Sequence, residues 1–207
     1  MKVARWIVAV TTGVLLLTLV LMPPERHLGR LLSLIYLHGA LIRSGALLFF
    51  LSALASIWAF FTDKEEAWQW VVALFISAWL TWVLGFIISF YPSYVTWGAP
   101  IVWAEPRTRM VVNVALIAAL FFTLAYWLQD RRWWGIVALL IGGALPILLW
   151  RTGVIRHPLN PVGTSPSTAL RVAYTCVLIS TFILGLTLAY YLKHHFHTLL
   201  RGEDRRP

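Results

Sequence analysis

Residues 31–61 read LLSLIYLHGALIRSGALLFFLSALASIWAFF, and residues 67–91 read AWQWVVALFISAWLTWVLGFIISFY. The first stretch holds one permanent charge, Arg43, and the second holds none. A hydrocarbon core about 30 Å thick takes roughly 20 apolar residues as a helix. Both stretches are long enough, and neither alternates with the period of two that a barrel strand requires. Lipid offers no partner to a free backbone N–H or C=O, so they are expected to be helices.

Outward from this pair, four more apolar runs complete the set. The expected spans are Trp6–Met22, Leu31–Phe61, Ala67–Tyr91, Met110–Leu128, Trp133–Trp150 and Ala169–Leu192. The predicted fold class is an all-α membrane protein, a single transmembrane domain over residues 1–207 with six transmembrane helices. Composition agrees. The 207 residues are 60% hydrophobic and 12% charged, against about 25% charged in soluble domains. Mean hydropathy is +0.78. These values exclude a soluble enzyme, a disordered chain and a disulfide-stapled module. The lone Cys176 excludes an intramolecular disulfide or a cysteine metal cluster. The first span, with Lys2 and Arg5 before it, lacks an A-x-A-like cleavage site and is read as a retained helix.

Orientation is read from the 17 Lys and Arg. With the N-terminus inside, the inner side carries Lys2, Arg5, Lys64, Arg131, Arg132, Lys193, Arg201, Arg205 and Arg206. The outer side carries Arg26, Arg30, Arg43, Arg107, Arg109, Arg151, Arg156 and Arg171. The bias is faint, but every outer cation is Arg, the residue suited to bidentate capture of carboxylate or phosphate. An anionic ligand or lipid headgroups would each account for them. Eight of the ten prolines also fall in outer loops. Functional loops are therefore expected on the outer (periplasmic or extracytoplasmic) face of a plasma (inner) membrane, with both termini cytoplasmic. No feature points to nucleic acid.

Three elements on that face carry chemistry. His38, in Tyr36-Leu37-His38-Gly39, stands at the outer end of the second span, just above the membrane surface. Arg43 then lies just inside the boundary, where a charge is costly unless paired. The small residues around it (Gly39, Ala40, Ser44, Gly45, Ala46) let a neighbouring helix or a flat ligand approach. His157 sits before Pro158 in the loop 151–168, which closes with Ser165-Pro166 as a predicted cap and first turn of the last helix. Two neutral imidazoles facing one another are an axial pair for heme iron. Each also fits an interfacial His bonded to a backbone carbonyl. The third element is the expected loop 91–109, YPSYVTWGAPIVWAEPRTR, in which Trp97, Gly98 and Trp103 form an apolar platform edged by Arg107 and Arg109. An aromatic belt with snorkelling arginines is the bland reading, but a belt does not require Gly98 and Pro100 between the tryptophans.

Twelve Trp are many for a lipid-facing surface. Trp6, Trp58, Trp68, Trp70, Trp127, Trp133 and Trp134 are expected in an inner interfacial belt, Trp150 in an outer one, and Trp79 and Trp82 in helix packing. Only Trp97 and Trp103 call for a functional explanation.

On these residues the chain resembles the CcmC-type heme-handling proteins of cytochrome c maturation, six-helix membrane proteins with a tryptophan-rich outer loop. Trp97-Gly98, Val102, Trp103 and Thr108 match that loop, with Ile101 and Ala104 standing where the pattern has Trp and an acid. Glu105-Pro106-Arg107 looks like its acidic-Pro-basic variant. Tyr36-Leu37-His38 and His157-Pro158 match the two segments that carry its heme-ligand histidines. The resemblance implies a non-covalent, b-type heme with His38 and His157 on the iron. Trp97, Gly98 and Trp103 would lie at the ring, and Arg107, Arg109 and Arg43 at the propionates, with Arg156 a further candidate. The implied function is heme binding and transfer, with no bond-making step. The implied partners are a periplasmic heme carrier or apocytochrome and other membrane subunits of a maturation or electron-transfer complex.

The alternative is an accessory integral-membrane subunit of a respiratory or photosynthetic complex, with or without heme. A transmembrane b-type electron carrier would need ligands near both faces, and only the tail Lys193-His194-His195-Phe196-His197 offers them inside. It reads better as a basic helix end suited to the helix dipole. A coupled transporter would need mid-membrane charge, and no span holds an acidic residue.

Overall fold

The computed structural model describes residues 2–155, 162 and 165–195. Seven helices follow in chain order: α1 (Lys2–Leu21), α2 (Leu31–Thr62), α3 (Glu65–Ile88), α4 (Phe90–Trp97), α5 (Pro106–Leu128), α6 (Arg131–Arg151) and α7 (Thr168–His195). Among the described residues, six helices are long and apolar enough to cross a membrane when α3 and α4 are taken as one element, Glu65–Trp97. The chain is thus a multi-pass membrane protein by the length and composition of its helices. Among the described residues there is no strand.

α2 forms the centre, packed on α3, α6 and α7. Its sequence explains why. Leu32, Tyr36, Ala40, Ser44, Leu48, Ser52 and Ser56 recur every four residues and are all buried; Leu41, Gly45, Phe49 and Ala53 form a second buried row beside them. Rows at this spacing are the ridges that interlock with neighbouring helices. The small residues admit close contact: a Cβ on Gly45 would stand 3.1 Å from the Trp82 backbone nitrogen of α3. α1 is the outlier. It lies chiefly on α7, with Val10, Leu16, Leu17 and Val20 exposed.

Polar bonds inside the bundle pair side chains with partners on other helices. Ser44 Oγ and Thr181 Oγ1 are 2.8 Å apart, Ser52 donates to Val71 O at 2.8 Å, and Ser77 donates to Gly185 O at 2.6 Å. Trp79 Nε1 donates to Ala115 O at 2.9 Å and Trp82 Nε1 to Val111 O at 3.0 Å. These two indoles, one turn apart on α3, clamp carbonyls one turn apart on α5. Without water, each unpaired donor would cost several kcal/mol.

The long helices alternate in direction, so the connections gather at two ends. One, the hairpin end, has only the tight links 63–64 and 129–130. The other, the loop end, collects 22–30, 89–105 and the chain following α6. There Arg30 meets backbone carbonyls. Its guanidinium donates to Val20 O at 2.7 Å and Met22 O at 3.3 Å, capping α1.

Candidate functional site

At the loop end α2, α3 and α4 meet, and His38 of α2 lies against α3. The His38 ring is half-buried, and its Nδ1 lies 2.9 Å from Gly85 O on α3. A carbonyl only accepts, so Nδ1 carries the hydrogen, and in the neutral ring Nε2 is the nitrogen with the lone pair. The ring is therefore drawn sideways onto α3. Gly85 allows this approach, because a Cβ there would meet Leu41 Cβ at 3.0 Å and Ile42 N at 3.1 Å.

The segment expected as a loop from Tyr91 is a helix as far as Trp97. The reason lies in Pro92. It has no N–H for the carbonyl of Ile88, so the ladder is interrupted at Ser89 and resumes as α4 with Pro92 in its first turn. Ser89 bridges the interruption. Its N–H reaches Gly85 O and Phe86 O at 3.2 and 3.1 Å, and its hydroxyl donates to Phe86 O. α4 then stops at Gly98, which takes the left-handed conformation at φ 76° and donates to Tyr94 O at 2.9 Å. A side chain would disfavour that cap. Trp97 is thus fixed on the last turn of a helix that touches α2. It is half-buried, whereas Trp103 stays 57% exposed in the remaining loop.

The arginines differ in what they meet. Arg43, at the surface, lies over the Tyr174 ring at 5.2 Å, so a π face rather than a carboxylate partners it. Tyr174 in turn meets the edge of Tyr36 at 5.1 Å. Arg107, in the first turn of α5, has its Nε buried with no hydrogen-bond partner among the described residues. Arg109, two residues further on, is exposed. Arg151 lies over Trp150 at 5.4 Å, and Arg171 donates to Thr168 Oγ1 at 3.2 Å, which gives both local roles.

In the sequence Glu105 reads only as the acid of the acidic-Pro-basic stretch, with no partner assigned to it. It is fully buried, and its carboxylate accepts from Ile155 N at 3.3 Å, joining the tryptophan loop to the chain after α6. The available signal was a lone acid between two tryptophan-bearing segments and Pro106. In the 22–30 turn, Glu25 accepts from the N–H of Leu28 and of His27, each at 2.8 Å. These bonds, Leu28 first, hold its carboxyl below the usual range.

His157 and Arg156 lie outside the described residues, as do His197, Arg201, Arg205 and Arg206. The predicted cap at Ser165 is corrected: α7 starts at Thr168, and Ser167 Oγ accepts from Leu170 N at 3.3 Å. The predicted belt is corrected too. Trp68 and Trp134 are buried at the hairpin end, at 3% and 6% exposure, while Trp6, Trp127 and Trp150 are exposed. Among the described residues no group of three or more His, Cys, Asp or Glu could hold a bare metal ion. Heme iron asks for only one or two axial side chains.

No known family model matches the chain. No curated protein matches it either.

Proposed function

We propose that the loop end binds heme as a cargo and hands it on for cytochrome c maturation at the outer face of a plasma membrane. His38 and His157 are the axial ligands. Trp97 and Trp103 flank the ring with Gly98 between them. Arg107, Arg109 and Arg43 receive the propionates. The observation that carries this reading is the His38 Nδ1 bond to Gly85 O. Ligating histidines are held in this way, through the other ring nitrogen, by a backbone carbonyl or carboxylate that fixes the tautomer and the ring plane.

The buried Arg107 Nε gives independent support. A buried donor without an acceptor costs about 1–3 kcal/mol, and a propionate oxygen is the acceptor a guanidinium suits best. Glu105 keeps the loop closed against the chain that leads toward His157. The chain's own work is to orient an imidazole, to offer a flat apolar surface and to neutralise two carboxylates. A heme carrier or apocytochrome on the same face would take the cargo.

The test is the absorption spectrum of the purified protein, oxidised and reduced. A bis-histidine spectrum is expected in the parent, with heme content falling in His38→Ala and His157→Ala. Unchanged heme content in both variants would refute the assignment.

A further inference from the structure

A cavity of about 390 Å³ opens at the hairpin end, at the opposite end of the bundle from His38. It is lined by Glu65, Trp68 and Val72 of α3, Tyr126 of α5, Gln129 and Asp130 of the link, and Arg131 and Trp134 of α6. From Glu65 to Val72 the helix advances about 10 Å at 1.5 Å per residue, so the cavity occupies the end of the bundle, at the depth of lipid headgroups. Trp134 of its lining meets Phe122 at 4.6 Å, and Phe122 in turn stacks on Phe75 at 6.0 Å.

The charges are arranged as a pair of opposites. Arg131 is held by Asp63 at 2.9 Å and Glu65 at 3.6 Å, and it lies 5.8 Å from the Trp68 ring centre. Trp68 Nε1 bonds Asp63 Oδ1 at 3.1 Å, so the guanidinium is fixed from two sides. A planar guanidinium has five donors, and two carboxylate contacts leave capacity for a phosphate. Glu65 and Asp130 line the same space as acceptors. The geometry points to a binding site for the headgroup of a zwitterionic phospholipid with a primary amine, phosphatidylethanolamine in type. The phosphate lies at Arg131, and the ammonium lies between Glu65 and Asp130. A primary ammonium donates three hydrogen bonds to such acceptors, whereas a quaternary one donates none and relies on aromatic faces. Arg131 already covers Trp68 and Phe122 abuts Trp134, so the carboxylates decide.

The experiment is lipid retention by the full chain in detergent, read by native mass spectrometry. Equimolar phosphatidylethanolamine, phosphatidylcholine and phosphatidylglycerol compete, with soluble O-phosphoethanolamine as a separate arm. Phosphatidylethanolamine should be retained about tenfold over the others, a difference of about 1.4 kcal/mol. In Glu65→Gln with Asp130→Asn that preference should vanish while binding of phosphatidylcholine persists; Asn still caps α6. Arg131→Ala should weaken all three lipids. Equal retention of the three by the parent overturns the proposal, as does a preference that survives loss of both carboxylates. Soluble O-phosphoethanolamine binding as tightly as the lipid overturns it too. A thermal melt of each variant identifies those that fold, and the conclusion is drawn from these.

Discussion

Two adjacent glycines in α6 make opposite demands, and substituting each by alanine tests the packing of the bundle. A Cβ on Gly142 would stand 2.8 Å from Ala53 Cβ and 2.9 Å from the Phe49 carbonyl carbon, with the Phe49 oxygen closer still; around Gly143 there is nothing within 4 Å. Ordinary contact starts at 3.4 Å. Relieving Gly142→Ala therefore takes at least 0.6 Å at Ala53 (3.4 minus 2.8), and more at the carbonyl. Backbone cannot rotate away as a side-chain tip can, so α6 must withdraw from α2. A gap of 0.5–1 Å forfeits about a quarter to a half of the dispersion well at each opened contact. Overpacking of this kind costs about 1–3 kcal/mol. Gly143→Ala meets no atom and removes a glycine from a helix interior, a gain of about 0.5–1 kcal/mol. The two variants should thus differ by about 1.5–4 kcal/mol, Gly142→Ala below the parent and Gly143→Ala at or above it. Reversible unfolding in mixed micelles measures both. Equal shifts in the two would refute the close approach of α6 to α2.

Trp82→Phe removes the bond to Val111 O, worth about 0.6–1.7 kcal/mol in a membrane before the lost ring volume is added; Trp127→Phe, at an exposed position, should leave the unfolding midpoint in place, and equal effects would argue against the indole clamp. Glu105→Ala should release the Ile155 amide. Hydrogen bonds to charged groups contribute about 1.5–3 kcal/mol, so its hydrogen exchange should accelerate about tenfold or more, and an unchanged rate would count against the tie. Glu25 should titrate below 4.5. Because its folded pKa is lowered, its contribution to the 22–30 turn is present above the unfolded value and is lost as pH falls through the lowered folded value; a side-chain NMR midpoint at or above 4.5 would contradict the backbone N–H explanation.

Spans were legible because the bilayer dictates both length and composition. Residues 31–61 and 67–91 announce helices through their length and near-absence of charge, and the small residues around Ser44 announce a close neighbour. The structure supplies that neighbour at Gly45 and Trp82. What escaped the sequence was direction. Trp68 and Trp134 carry the same signal as Trp127, yet two face inward and one faces outward. In an apolar environment hydrophobicity no longer marks the core, so the moment that orients a soluble helix is absent. α4 escaped for another reason: Pro92 reads as a loop signal, but it is tolerated in a first turn, and the chain simply starts a new helix. Glu105 looked like part of a motif. Its role depends on Ile155, 50 residues away, which no local pattern reveals. Of the candidate site, the structure brings α2 and α4 together and orients His38, while the half that rests on His157 lies outside the described residues.

The Gly85 carbonyl receives two hydrogens at once, from the Ser89 amide at 3.2 Å and from His38 Nδ1 at 2.9 Å. The first belongs to the backbone ladder and the second to an imidazole on another helix, so one oxygen serves two geometries. Its direction is set where the ladder is about to fail, three residues before Ile88, whose carbonyl Pro92 leaves without a donor. The His38 ring and the end of α3 at Ser89 therefore share one acceptor, and on the proposed heme reading a change in either bond is felt by the other.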